Sequence, residues 1–128
     1  MTREPGAGSS LGVLAGVLAA IGVGAGAFGA HALRGRLDAG ALATFETAVR
    51  YHLIHAIAAV LAADRAERSS NPLSRRAAVL FALGIVLFSG SLYALALGGP
   101  RLLGAITPLG GLAFIIGWLL LALSFSRR

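Results

Sequence analysis

The stretch that decides the fold is GAFGAHALRGRLDAGALATFETAVRYHLIHAIAAVLAA, residues 26–63. It opens and closes as apolar as a membrane span. Between those ends it carries Arg34, Arg36, Asp38, Glu46, Arg50 and the chain's three histidines, His31, His52 and His55. Asp38 is a residue type suited to an N-cap, and helical spacing of apolar residues runs from Ala39 to Asp64. The stretch therefore reads as the end of one helix, a short basic connection, and a second helix long enough to cross about 30 Å of hydrocarbon.

Working outward, further apolar runs occupy Leu11–Ala30, Ala77–Leu97 and Ala105–Phe125. Spans at about 11–30, 39–64, 77–97 and 105–125 would make residues 1–128 a single transmembrane domain. Composition agrees: 57% of the 128 residues are hydrophobic and 12% charged, against about 25% charged in a soluble domain. The mean hydropathy is +0.83. The expected fold is all-α, an integral membrane four-helix bundle of antiparallel up-down topology. Ala25-Gly26-Ala27 resembles a signal cleavage site, but Glu4 offsets Arg3 and the apolar run is longer than a usual signal core, so the span is read as retained.

The net charge of +6 comes from 11 arginines, with no lysine, against five acids. The arginines sit mainly at the ends of apolar runs rather than on one polar face, which argues for a bilayer and against nucleic acid as the partner. Four spans put both termini on one side, together with Arg65, Arg68, Arg75 and Arg76. That side holds seven arginines (Arg3, Arg127 and Arg128 included) and the other four, so the termini are expected in the cytoplasm of a cell inner or plasma membrane protein. The absence of cysteine excludes disulfides and thiol chemistry. RAERSSNPLSRR reads as a cytoplasmic loop with Asn71-Pro72 as a turn or helix start, and GGPRLLG as an outer turn. Thr107-Pro108 begins or bends the fourth helix.

In residues 11–30, 12 of 20 are Gly or Ala. Gly12 and Gly16 are four apart, as are Gly22 and Gly26, and Gly110, Gly111 and Gly117 give the fourth helix a similar surface. Such strips let backbones approach closely in lipid, either within one bundle or between copies of the chain.

On the second helix His52 and His55 lie about 60° apart, flanked by Tyr51 and Thr44. Glu46 and Arg50 lie opposite, at the i,i+4 spacing of an ion pair. Ser89, Ser91, Tyr93, Thr107 and His31 fall in the same outer half, above a nearly apolar inner half. The expectation is a polar pocket, or a hydrogen-bonded plug, open outward over an apolar floor. Three uses stand open. The histidines could bond Ser89, Ser91, Tyr93 or backbone carbonyls, with Glu46 paired to Arg50 or Arg34, as interhelical glue. They could bind or conduct protons or a small polar species. They could ligate a metal or haem through H-x-x-H with His31, a weak signal, so no metal or cofactor is expected. No catalytic motif is visible, and GAGAFG at residues 24–29 lies within a span rather than after a strand, so no enzyme is expected.

GAFGAH (26–31), FETAVRYHLIHA (45–56), LFSGSLYAL (87–95), ITPLGG (106–111) and GW (117–118) together resemble the small membrane-protein family of unknown function that includes YgdD and YwdK (domain of unknown function 423, transmembrane protein 256-like). The resemblance spans about residues 11–125. Where that family commonly has a glycine and a lysine soon after GAFGAH, this chain has Ala32, Leu33 and Arg34. The resemblance implies a four-helix integral membrane protein with no established activity. The resemblance leaves the function open. The residues themselves read either as a self-contained homo-oligomer that binds or conducts a small polar species through the outer pocket or as an accessory subunit of a larger membrane complex. An enzyme acting on a lipid or quinone head group would need a nucleophile or cofactor that the sequence does not display.

Overall fold

A computed structural model describes residues 7–126, with side chains from Ser10 onward. Arg3, Glu4, Arg127 and Arg128, which entered the charge balance, lie outside the described residues. The described residues form four helices. Helix α1 (Ala7–Phe28) widens into a π turn at Gly29–Leu33, and α2 covers Ala39–Ser69. Helix α3 (Pro72–Ala96) holds a second π turn at Ile85–Ser89, and α4 (Thr107–Ser126) follows a 3₁₀ turn at Arg101–Ala105. The fold is the expected all-α membrane bundle, and there is no strand among the described residues.

The boundaries follow from local chemistry. Asp38 caps α2 by accepting the Ala41 N–H at 2.8 Å. Ser70, in the left-handed region at φ 52°, ends that helix with its N–H on the Ala66 carbonyl. Asn71 accepts the Leu73 N–H at 2.9 Å, and Pro72 takes the first helical position, where no N–H is needed. Gly98, at φ +97°, turns the chain after α3.

One expectation is corrected. RAERSSNPLSRR is not a loop: α2 runs on to Ser69 and α3 starts at Pro72, leaving Ser70 and Asn71 as the connection. Charged residues there prolong the helices beyond the apolar spans, supported by the Arg68–Asp64 pair at 2.9 Å, spaced i,i+4.

Gly22 faces His52, Gly26 faces Val49 and Gly29 faces Phe45, so α1 runs antiparallel along α2. Arg65 and Asn71 both reach Ser124, which brings the end of α2, the start of α3 and the end of α4 together. We call this the terminal end and the opposite one the hairpin end. Ser10–Leu33, Pro72–Ala96 and Arg101–Ser126 are each long and apolar enough to cross a membrane. Helix α2, which carries Glu46 and Arg50, packs between α1 and α3.

The main core gathers Ala15, Ala56, Ala59, Ala62, Ala63, Ala77 and Ala78 around Phe81, Ile85, Phe114 and Leu121. Small side chains bring the helices close enough for dispersion to hold them where lipid offers no hydrophobic drive. The glycine strip of α1 divides: a Cβ on Gly22 or Gly26 would press on α2, whereas one on Gly12 or Gly16 would meet nothing within 4 Å. On α4, Gly110 and Gly117 receive Phe88 and Phe81, and Gly111 lies beside the Phe88 ring.

The terminal end carries a polar cluster whose Arg65 and Asn71 were expected in a loop. Arg65 Nε donates to Ser124 Oγ at 2.9 Å and Nη2 to the Ser124 carbonyl at 2.8 Å. Asn71 Nδ2 reaches the same carbonyl at 3.3 Å, and the guanidinium lies 3.9 Å over the Phe125 ring. Nearby on α3, the buried Ser74 hydroxyl has no hydrogen-bond partner among the described residues. Ser74→Ala is therefore expected to raise the unfolding midpoint in detergent, by about the 1 kcal/mol or more that an unpaired buried hydroxyl costs.

Candidate aromatic groove and histidine centre

His52 is 2% exposed. Its Nε2 stands 2.7 Å from the Leu18 carbonyl and its Nδ1 2.8 Å from the Tyr93 hydroxyl. A carbonyl only accepts, so Nε2 carries the proton and Nδ1 accepts from Tyr93. His55, 4% exposed, is built the other way. Its Nδ1 lies 2.7 Å from the Tyr51 carbonyl and donates there, while Nε2 accepts the Trp118 indole N–H at 3.1 Å. The partners thus assign opposite tautomers, with every ring nitrogen used. Both side chains leave the same face of α2, yet His52 ties it to α1 and α3 and His55 ties it to α4.

The other polar residues form sets of their own. Ser89 Oγ donates to the Ala48 carbonyl at 2.7 Å, and Ser91 Oγ meets Thr107 Oγ1 at 2.5 Å and the Phe88 carbonyl at 2.9 Å. The π turn that ends at Ser89, closed by the Gly90 N–H on the Ile85 carbonyl, shifts the register of α3 before Ser91. Thr44 bonds back to the Gly40 carbonyl at 3.1 Å. His31, Glu46 and Arg50 are exposed. Glu46 borders a shallow recess with Gly26, Gly29 and Phe45, and among the described residues it pairs with neither Arg50 nor Arg34. Nor do three His, Asp or Glu side chains among them gather as metal ligands. The structure therefore distributes the polar centre over several hydrogen-bonded sets rather than around one polar cavity.

What opens beside that centre is a groove of about 580 Å³ between α2 and α4. Arg50, Tyr51, Ile54 and His55 line it from α2, Phe88 from α3, and Gly111, Phe114, Ile115 and Trp118 from α4. His55 stacks on Phe114 at 3.6 Å between centroids, tilted 9°, and Tyr51 packs on Phe88 at 4.7 Å. Trp118, 42% exposed, stands edge-on to the buried Phe81 at 5.0 Å. Arg50 is the one charge on a wall that is otherwise mostly aromatic and aliphatic. Phe88 and Phe114 were not singled out from sequence. The available signal was the i,i+4 spacing of Phe114 and Trp118, which puts both on one face of α4.

Trp118→Phe removes the donor to His55 Nε2 while keeping most of the ring packing. It is expected to destabilise the bundle by about 1–2 kcal/mol, read from unfolding in detergent by circular dichroism.

The family described as protein of unknown function, DUF423, matches residues 25–111. The chain belongs to the DUF423 family. It is 47% identical to the UPF0382 membrane protein SH2409 of Staphylococcus haemolyticus over 80% of this chain and 83% of that one. It is 45% identical to YwdK of Bacillus subtilis over 88% and 92%. It is 39% identical to the UPF0382 inner membrane protein YgdD of Escherichia coli over 80% and 78%. No solved structure matches the chain. The DUF423 match takes in every polar residue of the histidine centre except Trp118, and of the groove it excludes Phe114, Ile115 and Trp118.

Proposed function

We propose that this DUF423 protein binds a membrane-soluble amphiphile in the α2–α4 groove, entered sideways from the bilayer, with an anionic head group at Arg50 and its apolar body along Ile54, Ile115 and Trp118. The observation that carries this is Arg50 itself. At 1.5 Å per residue it stands about 21 Å along α2 from Asp64, within the depth of the hydrocarbon. Among the described residues it has no ion-pair partner. A guanidinium at that depth is costly without an acceptor, and an aromatic-walled groove beside it can bring one. Binding is favoured over conduction because the histidines, Ser89 and Ser91 are already bonded to the protein, leaving no free polar file. The arginine balance supports cytoplasmic termini in the cell membrane.

Trp118 is the chain's one tryptophan, so its emission reports on the groove. Titration of the purified protein with dibromostearate, a carboxylate amphiphile whose bromines quench indole, is expected to give saturable quenching. Arg50→Gln should weaken that binding about tenfold, the loss of one charge-assisted hydrogen bond, and Arg36→Gln should not. Quenching that never saturates, or that ignores Arg50→Gln, would refute the proposal.

An accessory role has its own support. In the membrane-spanning part of α1 only 11% of the residues are buried, against 33% in α3 and 28% in the segment holding α4. The open positions at Gly12 and Gly16 would suit the close approach of another helix, from a second copy or a larger complex. Leu replacements at both positions that leave folding intact but change the mass of the extracted assembly would favour that role.

A further inference from the structure

At the terminal end the described arginines are used unequally. Arg65 is spent on Ser124 and Phe125, and Arg68 on Asp64. Arg75 and Arg76 are exposed, and neither makes an ion pair among the described residues. Both stand on a groove of about 540 Å³ whose remaining lining is Pro72, Val79 and Leu80 of α3 and Leu120 of α4. Val79 and Leu80 lie one turn beyond Arg75 and Arg76, about 6 Å further along the helix. The groove therefore passes from two guanidiniums at the membrane boundary to a purely aliphatic wall within a single turn.

We infer that this groove binds an acidic phospholipid of the adjoining leaflet, with its phosphate held by Arg75 and Arg76 and one acyl chain laid along Val79, Leu80 and Leu120. The order of chemistry along α3 is that of the lipid, head then chain. Guanidinium forks fit phosphate oxygens, and two of them attract a head group of net negative charge more than a zwitterionic one. Of the acids near this end, Asp64 is held by Arg68, and Glu67 lies on α2 rather than along this groove. The site shares no residue with the α2–α4 groove and does not depend on it.

The test is native mass spectrometry of the full chain released from micelles holding equal amounts of phosphatidylglycerol and phosphatidylcholine. The wild-type chain is expected to retain phosphatidylglycerol preferentially. Each of Arg75→Gln and Arg76→Gln should reduce the preference about fivefold, the usual effect of one basic side chain at an anionic surface. Val79→Trp fills the groove without changing charge and is expected to reduce the preference as well. Arg36→Gln, at a position that lines neither groove, should leave it intact, and repeating the comparison on an Arg50→Gln background separates this site from the proposed function. Equal retention of both lipids by the wild-type chain would overturn the inference. So would a preference that survives the double arginine replacement. A preference lost with the arginines but kept in Val79→Trp would also overturn it, since it would reflect diffuse surface charge rather than a groove.

Discussion

Gly110→Ala is expected to separate α3 from α4 and abolish the folded bundle. A Cβ at this position would overlap the backbone nitrogen of Phe88 and stand only 2.7 Å from its Cα. Backbone atoms cannot rotate aside as a flexible side chain can, so one helix must move. Moving it would strip the Phe88–Phe114 contact and the Ser91–Thr107 bond together. Overpacking in a closed core costs about 1–3 kcal/mol even where side chains can adjust. Here they cannot, and we expect a loss beyond about 4 kcal/mol, the range reached only by severe core disruption. Gly12→Ala and Gly16→Ala, with nothing within 4 Å, are the controls and should unfold like the wild-type chain. Unfolding in sodium dodecyl sulfate followed by circular dichroism distinguishes them. A Gly110→Ala midpoint equal to that of the controls would show that α3 and α4 do not meet at this glycine.

The second large effect is expected at His52. Interhelical hydrogen bonds in membrane proteins average about 0.6 kcal/mol, with a maximum near 1.7. The bonds to Tyr93 and Leu18 are therefore the smaller part of what the side chain contributes. The larger part is space: the ring is almost fully buried and lies against Gly22, which has no side chain to fill a void. His52→Ala should destabilise by about 2–4 kcal/mol, as large-to-small core changes do. Tyr93→Phe should cost about 1 kcal/mol, because it removes the hydroxyl and keeps the ring. A double-mutant cycle between the two positions should return a coupling of about 0.6–1.7 kcal/mol. A coupling of zero would mean that the His52–Tyr93 bond does not form in the membrane.

Much of the architecture was legible in the sequence because it depends on local chemistry. Asp38, Asn71-Pro72 and Thr107-Pro108 mark helix starts through capping and the missing proline N–H, and those signals act within a few residues. The connection at residues 65–76 was misread because charge was taken as a sign of loop, although a helix can carry charge once it leaves the lipid. The centre was legible only in depth. Spacing along each helix places His52, Ser89 and Thr107 at comparable heights, but it says nothing about the rotation of each helix around its axis. That rotation is set by packing, here by Gly110 under Phe88 and by the π turn of α3, which displaces Ser89 and Ser91 relative to an unbroken helix. It is also why two histidines on one face of α2 serve different neighbours.

The most direct test of amphiphile binding is to locate the ligand. Crystals of the protein grown with dibromostearate, measured at the bromine absorption edge, should show anomalous peaks between Ile54 and Ile115, beside Trp118, with the carboxylate directed to Arg50. Bromine peaks found only along α1 or the outer faces of the other helices, with none in the α2–α4 groove, would contradict it.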